Sequence, residues 1–222
     1  MTATATKTDA VTRLEELLKV AEANFSPARY TQIVKMYEAF AERVVIAPAA
    51  GVAHYHNAYA GGYLDHILDV IKASFKVTAI VKDMGGEIDY TKEELVFSAM
   101  HHDLGKVGDL HHPYYIPNPS EWHIEHRGEI FAHNEKIQSM RVTERALFLL
   151  QQFEIPVTQK EWLAIRLSDG LYDDSSKYYL ISYRKDPVKT NLPYVIHFAD
   201  HISTLAERDR YRMTHEEKDL YR

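Results

Sequence analysis

The sequence predicts an all-α fold in a single domain, and three observations carry that prediction. Apolar residues recur at helical spacing along most of the chain. Two capping signatures, Thr91-Lys92-Glu93-Glu94 and Thr158-Gln159-Lys160-Glu161, each open such a run. Proline and glycine fall at the ends of the runs. A short β-hairpin near residues 178–190 is the one exception that the Tyr/Ile-rich stretch Tyr178 to Tyr183 suggests.

Taken in order, Val11 to Ala23 reads as a helix because Leu14, Leu17, Leu18 and Ala21 share a face. Ser26-Pro27 starts a second helix, with Ser as N-cap and Pro at the first helical position, running to about Val45. Pro48 to Gly51 breaks it. A third helix begins near Gly61, carries His66, Leu68, Val70, Ile71 and Phe75, and ends at Gly85-Gly86. The Thr91 capping box opens a helix through Met100, which Gly105 stops. Between Lys106 and His126, Pro113, Pro117 and Pro119 forbid a long helix. Arg127 to Met140 and Thr143 to Phe153 read as helices. The Thr158 capping box opens one to about Ser168, and Pro193 opens the last, to about Arg208. No internal repeat interrupts this pattern.

At 222 residues the chain is long enough to bury one core. Its 45% hydrophobic and 26% charged content is that of a soluble globular protein. A net charge of −6 argues against a broad nucleic-acid-binding face. The chain has no cysteine, which excludes disulfides, thiolate metal sites and cysteine nucleophiles. The first ten residues lack the apolar core of a signal peptide. No apolar run approaches the roughly 20 residues of a membrane span. The expectation is a cytoplasmic protein with no membrane partner. The 13 histidines are the anomaly, and seven of them lie between His101 and His133.

Chemistry concentrates at His101-His102-Asp103-Leu104-Gly105-Lys106. With His66 upstream and Asp200 downstream, His102 and Asp103 can form a four-ligand site of nitrogen and oxygen donors. At a helix end the backbone can turn neighbouring side chains towards one point, whereas mid-helix they diverge by about 100°. Lys106, three residues after Asp103, suits a phosphate oxygen. Each residue also has a structural account. His102-Asp103 makes a polar helix end near the C-terminal dipole. His66 fits as a satisfied core histidine. Asp200, amid Val195, Ile196, Phe198, Ala199, Ile202 and Leu205, fits as half of a buried salt bridge.

The ordered set His66, His102-Asp103 and Asp200 resembles the HD superfamily of metal-dependent phosphohydrolases. The stretch His54-Tyr55-His56-Asn57-Ala58-Tyr59-Ala60-Gly61-Gly62-Tyr63-Leu64-Asp65-His66 is similar to the "HHAYxGGLLEH" of the branch that contains 3′–5′ exoribonucleases. His102-Asp103-Leu104-Gly105-Lys106 resembles that branch's "HDIGK", and Gly128-Glu129-Ile130-Phe131-Ala132-His133 its "GKLLGH". The resemblance spans about residues 50–205. It implies an HD-domain helical bundle over 46–210; composition and periodicity add a disordered 1–10, helices over 11–45 packed on that core and a charged tail at 211–222. It implies that His66, His102, Asp103 and Asp200 hold one divalent transition metal (Mn, Fe, Co, Ni or Zn). In two-metal members Asp103 bridges and His133 joins the second ion. Where the family carries a His-His pair, this chain has Leu167-Ser168-Asp169-Gly170, so either Asp169 substitutes as an oxygen ligand or the second site is weakened or absent.

The function implied is hydrolysis of a phosphoester or phosphoanhydride by a metal-activated water that Asp103 orients. Lys106 and Arg127 are the residues expected to stabilise phosphate charge, although surface charge explains Arg127 as well. His123 and His126 are expected to contact substrate or to replace missing ligands. His111, His112, His123 or His126 offers a general acid. Tyr114, Tyr115 and Trp122 can stack on a base or pack in the core. The expected partner is a small phosphorylated substrate, a nucleotide above all, rather than long nucleic acid, and a homo-oligomer is compatible with the sequence. Three other readings compete: a 3′–5′ nuclease, a di-iron oxygenase of the HD type, and a non-catalytic binding module.

Overall fold

The structure, a computed structural model, describes residues 7–181 and 188–214. Ten α-helices account for most of them: α1 (Lys7–Asn24), α2 (Pro27–Ala39), α3 (Ala41–Val44), α4 (Gly62–Asp83), α5 (Lys92–His101), α6 (Glu121–Arg127), α7 (Val142–Gln152), α8 (Gln159–Arg166), α9 (Lys177–Leu180) and α10 (Leu192–Thr214). One small antiparallel pair joins them, β1 (Tyr115–Pro117) with β2 (Phe131–His133), in the register Tyr115 opposite His133. The fold is therefore mostly α-helical. No helix among the described residues is long and apolar enough to cross a membrane.

Local chemistry explains most of the boundaries. The Ser26 side chain caps the α2 N-terminus by accepting from the Arg29 N–H, with Pro27 at the first helical position. Both capping boxes form: Thr91 with Glu94 opens α5, and Thr158 with Glu161 opens α8. The apolar faces of the two longest helices in the core, α4 and α10, pack along each other. Leu64, Ile67 and Val70 of α4 meet Val195, Ile196 and Ala199 of α10 in one buried cluster, with Val96, Phe97 and Met100 of α5 beside them.

Four expectations are corrected. Arg127 to Met140 is not a helix: α6 stops at Arg127, because Gly128 takes a left-handed conformation (φ 63°) and turns the chain into β2. The Phe131 N–H then donates to the Gly51 carbonyl, which draws this segment onto the loop before α4. The stretch from Tyr178 begins as the short helix α9 rather than a hairpin arm, and residues 182–187 lie outside those described. α1 starts at Lys7 rather than Val11, because Ala10 is buried in the core, where it packs near Gly61. α10 runs on to Thr214, past the expected end at Arg208, and holds Glu207 in the interior.

One buried ion pair ties the N-terminal helices to the domain. From α2, the Arg29 guanidinium bonds both oxygens of Glu161, at 2.9 and 2.7 Å, and donates to the Pro156 carbonyl. It also lies 3.7 Å over the Phe97 ring. Glu161 is fully buried, so truncating its partner strands a charge. Arg29→Ala should lower unfolding free energy by about 3–5 kcal/mol. Urea unfolding measures this, and a loss under about 1 kcal/mol would show that Glu161 finds other compensation.

Candidate metal centre

Two glycines set the start of α4. Gly61 is left-handed (φ 87°), and a Cβ on Gly62 would lie 2.0 Å from the Asn57 carbonyl oxygen. The preceding loop therefore lies flat against the helix start, and His66, one turn further in, is fully buried. Its Nδ1 lies 3.1 Å from both oxygens of the buried Glu207 carboxylate on α10.

His102 and Asp103 stand where α5 ends. His102 is the C-cap, Asp103 leaves helical geometry (φ −107°), and a 3₁₀ turn over Leu104–Val107 follows. That change of pitch brings both side chains to one side. Gly105 does not stop the helix outright, as the sequence suggested, but sits inside this turn. A Cβ there would lie 2.1 Å from the Val142 carbonyl oxygen, so glycine lets the start of α7 press on the turn. His102 is buried and its Nδ1 bonds the Ala99 carbonyl at 2.9 Å. His101 points elsewhere: its Nδ1 bonds the Phe97 carbonyl and its ring packs against Phe97.

The four side chains converge. His66 Nε2 is 3.2 Å from Asp200 Oδ1 and 3.5 Å from Asp103 Oδ2. His102 Nε2 is 3.6 Å from Asp103 Oδ2 and 3.7 Å from Asp200 Oδ1. Both Nε2 atoms are buried and lack a hydrogen-bond partner, while each ring's Nδ1 is already engaged. An imidazole whose outer nitrogen is anchored, and whose inner nitrogen faces carboxylates, has the arrangement of a metal ligand. The buried group His66, His102 and Asp103 can hold a metal ion. Its mixed nitrogen and oxygen donors suit a first-row transition metal or zinc.

The electrostatics agree. Burial alone would push the His66 imidazolium down, but Glu207, Asp103 and Asp200 outweigh it and hold it well above the usual histidine range. His102 is raised against the same burial by Asp103 and Asp200. The Asp103 carboxyl, although buried, is held down by Lys106, His102 and His66. The Lys106 ammonium, 2.6 Å from Asp103, is raised despite its burial. The carboxylates that would attract a metal cation thus also raise the proton affinity of both imidazoles.

A cavity of about 400 Å³ opens over these ligands. Four carboxylates line it (Asp103, Asp169, Asp173 and Asp200) against two cations, Lys106 and Arg141. Lys106 pairs with Asp103, and Arg141 with Asp173 at 2.7 Å. Asp169 and Asp200 remain, so with neutral histidines the lining carries the charge that one divalent ion cancels. Asp169 registers that surplus: burial and the nearby Asp103 and Asp200 raise its carboxyl. No protein-family model, curated protein or solved structure matches the chain.

The other residues named from sequence are placed less centrally. His133, at the exposed end of β2, stacks against Tyr114 and belongs to no metal-ligating cluster among the described residues. Arg127 lies 5.4 Å over Trp122 and 3.7 Å from Glu129, and does not line the cavity. His123 bonds Ser120, and His126 stacks on Trp122, both on α6 and outside the lining. Three functional positions were missed. His56 lines the cavity, 4.9 Å from the His66 ring, and burial and then Lys106 push its imidazole down to about 3, so it stays neutral. Glu207 lies seven residues after Asp200, the spacing that returns to the same helix face. Arg141 carries no sequence signal beyond preceding an apolar run.

His56, His66 and Glu207 form a second group that could hold an ion, but towards the His66, His102 and Asp103 group Glu207 acts from behind, on Nδ1 of His66. Glu207→Gln should weaken binding of manganese or cobalt by about 10- to 100-fold, as read by calorimetric titration. Unchanged affinity would show that His66 is positioned without it. The same titration gives a pH dependence. Metal displaces protons from imidazoles whose affinity for them is raised, so binding should tighten as pH rises from about 6 to 8, and pH-independent binding would exclude these histidines as ligands.

Proposed function

We propose that this protein is a metal-dependent phosphohydrolase acting on a nucleotide or other small phosphate ester, through the HD-type site that its motifs resemble. One observation carries the reading: two buried imidazoles with unpartnered Nε2 atoms face two carboxylates at the floor of a cavity open to small molecules. His66, His102, Asp103 and Asp200 would hold the ion. When bound, a divalent ion supplies Lewis acidity and lowers the pKa of water towards neutrality.

The chain's own residues prepare the rest. Lys106 holds Asp103 in its charged form and in one orientation. Glu207 fixes the His66 ring with Nε2 facing the cavity floor. His56, kept neutral, adds no positive charge against an incoming ion. The cavity volume falls in the range of small-ligand pockets, about 300–1,000 Å³, which favours a nucleotide-sized substrate over a long strand. Burial and the nearby Asp103 and Asp200 raise the Asp169 carboxyl, which makes it the candidate in this cavity for giving a proton to a leaving oxygen.

The test is turnover by protein loaded separately with manganese, iron, cobalt, nickel or zinc. The substrates span nucleoside mono- to triphosphates, cyclic nucleotides and short single strands. Release of phosphate or nucleotide that Asp103→Ala abolishes is the expected result. Exclusive processing of single strands would make the protein a nuclease. Oxygen consumption would move it to the oxygenases. Retained metal with no turnover of any phosphate ester would leave only a binding role.

A further inference from the structure

Arg127, the cation expected to meet a phosphate, stands outside the cavity, and Lys106 is committed to Asp103. The other cation lining the cavity is Arg141. We propose that Arg141 binds the terminal phosphate of the substrate, leaving Asp173 as the substrate enters. The proposal rests on the phosphohydrolase reading and names the residue that would recognise the phosphate.

Geometry puts Arg141 in the right place. It is the N-cap residue of α7, and its carbonyl accepts the first backbone bond of that helix, from the Arg145 N–H at 2.9 Å. The same helix start presses on the Gly105 turn that carries His102 and Asp103. The base of the side chain is therefore held beside the candidate metal ligands, while the side chain as a whole is about half exposed, at 46%.

Arg141 is held by Asp173 and by the Ser175 hydroxyl, both of which Arg166 also bonds, so its bonds are replaceable. Asp173 lies between two guanidinium groups. Arg166 is only 9% exposed and bonds it at 2.8 Å. The Ser175 N–H donates to the same carboxylate at 2.9 Å. Asp173 therefore keeps a buried cation and a backbone donor when Arg141 departs, so no charge is stranded. Arg141 would exchange a carboxylate that has other partners for a phosphate that offers the same paired acceptors and more charge. Lys106 has no such freedom, because moving it would leave the buried Asp103 without its closest cation.

The test uses the manganese-loaded full chain, with inorganic phosphate as the probe. Arg141→Ala should bind phosphate about 10- to 100-fold more weakly by calorimetry, the loss of one charge-assisted hydrogen-bonding group. For any phosphate ester that the wild type hydrolyses, KM should rise by a similar factor with kcat little changed. Arg141→Lys should recover part of the loss, because it keeps the charge and loses the fork. Manganese content and thermal midpoint should match the wild type, since the side chain is exposed. Phosphate binding by Arg141→Ala as tight as that of the wild type overturns the proposal and leaves the phosphohydrolase reading intact. A wild-type protein that holds manganese but neither binds phosphate nor turns over an ester overturns both.

Discussion

The arrangement around His66 is the constraint on which the rest of the structure depends. One buried imidazole is gripped from behind by Glu207 and faces Asp103 and Asp200 in front. Three carboxylates around one ring cannot stay ionised in a buried setting without positive charge among them. The raised proton affinity of His66 and His102 answers to the carboxylates' charge, and a divalent ion held between them would compensate it. The fold is organised to keep this cluster together. α4 brings His66, α10 brings both Asp200 and Glu207, and the turn after α5 brings His102 and Asp103. The packing of α4 along α10 is at once the core of the domain and the frame of the site.

Close backbone approaches make that frame possible. Gly62 lets the preceding loop lie on the start of α4, and Gly105 lets α7 lie on the ligand turn. Neither contact leaves room for a Cβ, so both positions link a sequence motif to a physical need. The outer cavity is built differently. It is polar, it pairs Lys106 with Asp103 and Arg141 with Asp173, and its remaining carboxylates give it a charge that favours cations. On the proposed reading, a bound cation would offset this charge before an anionic substrate enters, and metal and substrate binding would then be coupled.

Much of the helical frame was legible in the sequence, because capping boxes and apolar periodicity are local signals. Thr91 and Thr158 cap as their neighbours dictate. The expected helix from Arg127 failed because Gly128 and a long-range bond from Phe131 to Gly51 outweigh propensity. In the site, His66, His102, Asp103 and Asp200 were legible through their order along the chain and the resemblance of the surrounding motifs to the HD pattern, since each residue alone also reads as a core or helix-end residue. Glu207 was not, because a glutamate near a charged helix end reads as solvated until α4 is seen to cover it. Arg127 misled for the opposite reason: proximity in sequence to a histidine-rich segment says nothing about whether α6 faces the cavity. Arg141 and Asp173 meet only through the tertiary packing of α7 and the turns before α9, which no spacing rule reveals.

If the two imidazole nitrogens and the two aspartates together bind one ion, anomalous diffraction from crystals grown with zinc, recorded on both sides of the metal's absorption edge, will show it. One strong peak is expected about 2.0–2.2 Å from His66 Nε2, His102 Nε2 and an oxygen each of Asp103 and Asp200. A peak elsewhere, or none at this position in protein shown to retain zinc, would contradict it.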